Sequence, residues 1–309
     1  MHTLEDNLSD IKFIKGDIRN KELVDYIFKN SKIDYVINFA AESHVDRSIE
    51  SSRIFLETNI LGTQILLEVA KGNWQIGEDK YRDGVKFIQI STDEVYGSID
   101  EGYFIEETPL APRSPYAASK AGADMLVKSY YETYKFPVII TRCSNNYGPY
   151  QFPEKLIPLM IKNTLQGRKL PVYGNGKNVR DWIYVEDHIR AIDLVINKGV
   201  SGEIYNIGSN TEYQNIDLVK LIINIIRDLI SEKRYEKKKN FADPKIINYN
   251  LIEYVKDRLG HDKRYAIDAS KIQKELGWKP EVSFDKGIIK TVEWYIENQE
   301  WIEQVSSSD

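Results

Sequence analysis

Cysteine is nearly missing from this chain of 309 residues: Cys143 stands alone. That excludes an intramolecular disulfide and any metal site built from several thiolates, and it fits a reducing compartment. Set in the apolar run PVIITRCSNN, the thiol is expected in the buried core. Histidine is scarce as well. His2, His44, His188 and His261 are dispersed, with no H-x-x-x-H or H-E-x-x-H spacing, so no metal centre is expected. Long apolar runs are lacking, since nothing approaches the roughly 18 consecutive apolar residues of a membrane helix. No signal-peptide pattern opens the chain, and a cytoplasmic protein without a membrane partner is expected. An excess of positive charge is lacking too. The net charge of −5 argues against a nucleic-acid partner held by counterion release. The one basic cluster, KRYEKKKN at 233–240, reads as a solvated loop.

What is present suits a large folded core: 42% of residues are hydrophobic and 11% aromatic. Apolar, β-rich runs recur at 11–14, 35–40, 85–90 and 138–143. Helical patterns at 21–29, about 51–70 and 116–134 separate them. Strands alternating with helices imply right-handed βαβ units and a parallel sheet buried on both faces. The helix at Tyr116 has a defined start, because Ser114 is suited to cap it and Pro115 takes the first helical position, where a missing N–H costs nothing. Beyond Asn146 the texture changes to the proline-containing YGPYQFPEKLIPLM, the short segment KLPVYGNGKNVRDW and a helix at 185–198. Further elements are expected at 204–207, 216–230, 271–276 and 284–298. The expected organisation is a cofactor lobe over 1–150, with 182–208 returning to it, and a smaller substrate lobe over 151–309.

Three polar segments carry chemistry. In SPYAASKAG, Tyr116 and Lys120 lie four residues apart and share a helix face. A phenol is a poor base at neutral pH, but an adjacent ammonium favours the phenolate, so the pair suits proton removal from an alcohol during hydride transfer. ISTDEVYGS leaves a strand and at once presents Thr92, Asp93 and Glu94. Neighbouring carboxyls with separated pKa values allow one to hold a proton while the other takes one, as a β-elimination of water requires. NFAAESHVDRS leaves the preceding strand. In a parallel sheet ligands gather outside the carboxyl ends of the strands, so the three segments converge on one crevice.

The segments AAESHVDRS, TDEVYG, YAASK, CSNNYGPYQFPEKLIP, RDWIYVEDH, YNIG and GHDKRYAID together resemble the dTDP-glucose 4,6-dehydratases of the extended short-chain dehydrogenase/reductase family. Related sugar-nucleotide epimerases share the Tyr/Lys pair but as a rule lack the Asp-Glu pair. The resemblance implies an NAD-dependent lyase acting on dTDP-glucose, a homodimer, and a place in deoxysugar synthesis. By it, Tyr116, with Thr92 and Lys120, takes the proton of the sugar C4 hydroxyl as hydride passes to NAD. Glu94 removes the C5 proton, Asp93 protonates the departing C6 hydroxyl, and hydride returns to C6.

Other positions carry over in the same way. Asp17 and Ile18 resemble residues beside the adenine; Ala40, Ala41, Glu42, Thr58 and Asn146, with Tyr116 and Lys120, match the path of NAD. Ser43, Thr92 and Asn145 match sugar contacts. Lys155, Leu156, Pro171, Tyr173, Arg180, Asn206, Arg258, His261 and Tyr265 resemble the nucleotide-sugar pocket, with Arg180 and Arg258 meeting diphosphate oxygens through bidentate hydrogen bonds. GNGKN reads as a turn near Arg180. DRLGHD carries Leu259 where the family usually has proline.

The family's opening strand, glycine-rich turn and helix have no counterpart in the sequence. The expectation is therefore an N-terminally incomplete, doubly wound parallel sheet of the Rossmann type, with exposed apolar sheet edges, poor NAD binding and little dehydratase activity. A non-catalytic sugar-nucleotide-binding relative and a dehydratase or epimerase for another nucleotide sugar stay open as alternatives.

Overall fold

A computed structural model of the chain describes residues 11–232 and 241–306; the basic cluster at 233–240 lies outside them. In chain order the elements are α1 (Lys21–Asn30), β1 (Tyr35–Asn38), α2 (Val45–Glu50) and α3 (Arg53–Phe55). The last continues through a π-helical stretch, Leu56–Gly62, into α4 (Thr63–Trp74). Then come β2 (Gln75–Gly77), β3 (Lys80–Tyr81), β4 (Lys86–Thr92), α5 (Pro115–Tyr134), β5 (Val138–Cys143) and β6 (Asn145–Tyr147). They are followed by α6 (Leu156–Leu165), β7 (Leu170–Tyr173), β8 (Val179–Tyr184), α7 (Val185–Lys198), β9 (Ile204–Ile207) and β10 (Glu212–Gln214). The chain closes with α8 (Asn215–Ile230), β11 (Ile252–Val255), α9 (Ser270–Leu276), α10 (Phe284–Glu297) and α11 (Gln299–Ser306).

Four strands form one parallel sheet in the order β1-β4-β5-β9. Both faces are covered, so consecutive residues of β4 and β5 are buried and mostly apolar. Phe87, Val138 and Ile140 pack with Leu67 and Trp74 of α4 and Val127 of α5. Ile88, Ile90 and Ile139 face the other way, onto Ile192 and Val195 of α7 and Ile272 of α9. Burying one such side chain contributes about 1.5–3 kcal/mol, and the two-sided burial fixes the register, since a one-residue slip would exchange the faces. The architecture is a doubly wound α/β sheet of the Rossmann type.

A second apolar cluster gathers α6, α8 and α10 around Ile161, Leu218, Ile222 and Val292. Against it lie β8 paired with β6 and β10, and β7 paired with β11. The segment KLPVYGNGKNVRDW, expected as one short piece, makes β7 and β8, turned by Gly174 and Gly176 at positive φ.

The run at 11–14 is not a strand. It is irregular, and Ile11, Phe13 and Ile14 are exposed. Its apolar residues favour a pleated conformation, but strand identity needs a neighbour to pair with, and no described residues pair with it. On its outer side β1 likewise has no partner strand among the described residues, and Ile37 and Phe39 are exposed there. The helical pattern expected over about 51–70 forms as one unbroken run from Arg53 to Trp74 through α3, the π-helical stretch and α4, and the extended backbone of Ser51 separates it from α2. Among the described residues no helix is long and apolar enough to cross a membrane.

Helix α5 starts where its sequence predicts, with the Ser114 hydroxyl accepting from the Ala117 N–H at 3.0 Å. A buried ion pair ties it to the sheet. Arg142 of β5 donates to Asp124 of α5 at 2.9 Å and to the Tyr96 hydroxyl at 2.9 Å, and Tyr96 donates to Asn206 of β9 at 2.8 Å. Burial works against the Arg142 charge, and Asp124 and Tyr96 outweigh it. Arg142→Met should therefore lower stability by about 3–5 kcal/mol in urea unfolding, because Asp124 is left buried without its cation. Adding Asp124→Leu should recover part of that loss.

Candidate active site

Three chain segments leave the carboxyl edge of the sheet and line one cavity of about 900 Å³. The central one begins at Thr92. The Thr92 hydroxyl accepts from the Glu94 N–H at 3.2 Å, which turns the chain out of β4 into the single turn Asp93–Tyr96. Gly97 ends that turn at φ +85°, and a Cβ there would lie 2.4 Å from the Ala111 carbonyl oxygen, so only glycine fits. The turn holds both carboxyls against the cavity wall. From α5, Tyr116 and Lys120 reach the same space, and the Lys120 ammonium donates to the Ile90 carbonyl at 2.6 Å, clamping the helix to the end of β4.

Burial and charge set these groups apart. Asp93 lies buried beside Glu94 and Asp181, and desolvation with those two charges pushes its pKa well above the usual carboxylate range. Glu94 is raised by burial, but Arg180 and Arg258 oppose the rise. Asp93 is thus the carboxyl that keeps its proton, and Glu94 the one nearer to giving it up. Tyr116 differs from the sequence expectation. Burial, with Glu94, Cys143 and Asp93, pushes its phenol well above its ordinary value. Burial also lowers Lys120, with Asp124 opposing. In the folded chain desolvation outweighs the neighbouring ammonium, and Tyr116 is a neutral phenol.

Ala41 and Ser43 line the cavity from the segment after β1, and Asn145 and Asn146 from the segment after β5. Across from them stand Lys155, Leu156, Pro171, Tyr173, Arg180, Arg258, His261 and Tyr265. The Arg180 guanidinium lies 4.1 Å over the Tyr265 ring and donates to the Val179 and Asp262 carbonyls at 2.7 and 2.9 Å. Lys155 donates to the Ser43 carbonyl at 3.0 Å, joining the two sides.

Six expected residues do not line the cavity. Asn206 sits fully buried one layer behind it, held by Tyr96, by the Phe104 carbonyl and, through its own N–H, by Glu106. Asp17 is exposed and paired with Arg19, while Ile18 packs against Gly62. Ala40 is exposed, and Thr58 is half-buried in the π-helical stretch. The Glu42 backbone is held by Asn59 through two hydrogen bonds. Cys143, expected in the core, is half-buried and lines the cavity; burial pushes its thiol up to about 12, which keeps it protonated at neutral pH.

Sequence reasoning passed over Asp46 and His188. Both line the cavity. Burial lowers His188 to about 4, so the ring is neutral, and its Nδ1 lies 2.8 Å from Asn146 Oδ1 while Nε2 has no partner among the described residues. The signal available was VEDH in the first turn of an amphipathic helix, which a search for metal spacing discards.

Asp93→Asn tests the burial of that carboxyl. The folded group titrates well above 3.8. Below that value both states are protonated and the charge has no cost; as pH rises past it, the unfolded chain ionises first and the parent loses stability. The variant should match the parent below about pH 4 and exceed it by about 1–3 kcal/mol at neutral pH in urea titrations.

The sequence and fold have close counterparts. The family model described as GDP-mannose 4,6 dehydratase matches residues 1–291. The dTDP-glucose 4,6-dehydratase of Xanthomonas campestris pv. campestris is 50% identical over 304 residues, covering 98% of this chain and 84% of the relative. The dTDP-glucose 4,6-dehydratase 1 of Escherichia coli K12 is 48% identical, covering 96% and 81%. Among solved structures, DesIV, the dTDP-glucose 4,6-dehydratase of Streptomyces venezuelae with NAD and TYD bound, superposes with a TM-score of 0.86 at 44% identity, covering 98% and 86%. A UDP-glucose 4-epimerase of Thermotoga maritima with UDP-glucose superposes with a TM-score of 0.80 at 27% identity, covering 96% and 88%. With half of its residues shared along almost its whole length, and with the Asp-Glu pair set beside the Tyr/Lys pair in one cavity, the chain belongs to the family of dTDP-glucose 4,6-dehydratases.

Proposed function

We infer that the chain dehydrates dTDP-glucose to dTDP-4-keto-6-deoxyglucose with NAD as its cofactor, in place of the poor NAD binding and little dehydratase activity expected from the sequence. The observation that carries the reading is the pair of adjacent carboxyls, Asp93 and Glu94, buried in one cavity with Tyr116 and Lys120 but in environments that separate their protonation. The relatives of about half identity and the NAD-bound structural counterpart support the same reaction.

The residues present suit the nicotinamide end of NAD. Tyr116, Lys120, Ala41 and Asn146 line the cavity, and buried polar atoms in its wall, Asn145 Oδ1 and His188 Nε2, have no partner among the described residues. In this reading those four would hold that end, with Asp17, Ile18, Ala40, Glu42 and Thr58 along the rest of the cofactor. When bound, NAD supplies the hydride acceptor for C4 and the hydride donor for C6. The proposed division is a cofactor lobe over 1–150 with 182–208, and a substrate lobe over the remainder of 151–309.

Once its own phenol proton has passed to solvent, Tyr116 as the phenolate takes the C4 hydroxyl proton, with Thr92 hydrogen-bonded beside it. Forming the phenolate requires help against burial: Asp93 and Cys143 in their neutral forms withdraw two of the three opposing charges, and Lys120, one turn along the same helix, supplies a positive one when protonated. Once C4 is a ketone, the C5 hydrogen is acidic. Glu94 removes it, Asp93 gives its proton to the C6 hydroxyl as water leaves, and Glu94 returns its proton to C5 when C6 is reduced. Arg180 and Arg258 bind the diphosphate, Ser43 and Asn145 the sugar. Lys155, Leu156, Pro171, Tyr173, His261 and Tyr265 enclose the nucleotide. Asn206 enters only by bracing Tyr96 from behind.

The reading extends to a cytoplasmic homodimer. Leu56 and Leu61 of the π-helical stretch and Met125 of α5 are exposed apolar residues on helices that pack together, which suits a helical interface. Leu61→Glu should shift sedimentation velocity from dimer to monomer.

Glu94→Gln should lower turnover by about 10²–10⁴-fold. Solvent deuterium should no longer enter C5, while the near-ultraviolet absorbance of reduced nicotinamide still appears on adding dTDP-glucose. Undiminished C5 exchange would remove Glu94 from the proposed role.

A further inference from the structure

In the cavity wall Arg258 is held by a carboxylate from a distant part of the chain. Arg258 follows β11, whereas Asp46 lies in α2, after the first strand of the parallel sheet. Arg258 Nε donates to Asp46 Oδ1 at 2.6 Å and Nη2 to Oδ2 at 2.8 Å, a two-pronged contact. The Tyr173 hydroxyl donates to Asp46 Oδ2 at 3.2 Å, and the guanidinium lies 5.1 Å from the centre of the Tyr173 ring. All three side chains line the cavity.

A guanidinium has five N–H groups in a rigid fork. Asp46 engages one edge of it, and Nη1 makes no hydrogen bond among the described residues. The carboxylate and the Tyr173 ring together fix both the direction of the fork and its plane. The side chains of Asp46 and Arg258 are 29% and 23% exposed, so the pair is largely withdrawn from water and is stronger than an open surface contact. Burial works against the Arg258 charge, and Asp46 more than offsets it.

We propose that Asp46 is a positioning residue for substrate binding: it presets the Arg258 fork in the cavity wall so that the free edge meets the diphosphate of the nucleotide sugar. This rests on the reading that Arg258 contacts that diphosphate. An arginine already ordered loses less freedom on binding, so Asp46 acts on affinity and leaves the chemistry at Thr92, Asp93, Glu94 and Tyr116 unchanged.

The test compares the parent, Asp46→Asn, Asp46→Glu, Arg258→Gln and the Asp46→Asn/Arg258→Gln double variant. Calorimetric titration with dTDP is paired with steady-state kinetics on dTDP-glucose. Asp46→Asn should raise the dTDP Kd and the dTDP-glucose KM about tenfold while kcat stays within about twofold. Asp46→Glu should restore part of the affinity, and in the Arg258→Gln background Asp46→Asn should add no further loss. A loss of kcat with unchanged Kd would mark a merely structural role and overturn the proposal. So would Asp46→Asn binding dTDP as tightly as the parent while Arg258→Gln weakens it, although the diphosphate reading then survives. If Arg258→Gln binds dTDP like the parent, that reading and the proposal fall together.

Discussion

The buried ion pair of Arg142 with Asp124 fixes the relation between helix α5 and the sheet, and the site depends on that relation. Helix α5 carries Tyr116 and Lys120 two turns and one turn before Asp124, so a rotation or slide of the helix would move all three at once. The same guanidinium holds Tyr96, which ends the turn containing Asp93 and Glu94. One cation therefore sets the spacing between the Tyr/Lys pair and the carboxyl pair. Because both partners are withdrawn from water, the geometry is specified more sharply than apolar packing alone would specify it.

Above this frame, the separation of the two carboxyls is an electrostatic consequence of depth. Asp93 sits among negative neighbours, whereas Glu94 is faced by Arg180 and Arg258 across the cavity. Placing a proton-holding acid next to a base works against folding stability, as buried functional groups commonly do. The restraint of Arg258 by Asp46, and of Arg180 by two backbone carbonyls, keeps the compensating positive charges from collapsing onto the carboxyls.

Local chemistry was legible where it is decided locally. Ser114 and Pro115 announced the start of α5, and apolar runs in β4 and β5 announced strands buried on both faces. The run at 11–14 looked equally β-prone yet forms no strand, because pairing depends on a neighbour and not on propensity. Asn206 stood in a motif that resembled pocket residues, but its position on β9 points it at Tyr96. Asp46 and His188 were passed over because an isolated acid or a lone histidine has no meaning until its partner is known. For Asp46 that partner lies 212 residues away in the chain.

The sequence by itself determined the alternation of strands and helices, the helix caps, the Tyr116–Lys120 spacing and the adjacency of Asp93 and Glu94. Each of these is set by neighbours within a few residues, where backbone geometry leaves few choices. Only the tertiary structure decided which carboxyl keeps its proton, that the Tyr116 phenol is neutral, and that Arg258 is held by Asp46. Those outcomes depend on burial and on charges brought together from distant parts of the chain, and desolvation exists only once the fold has closed around them.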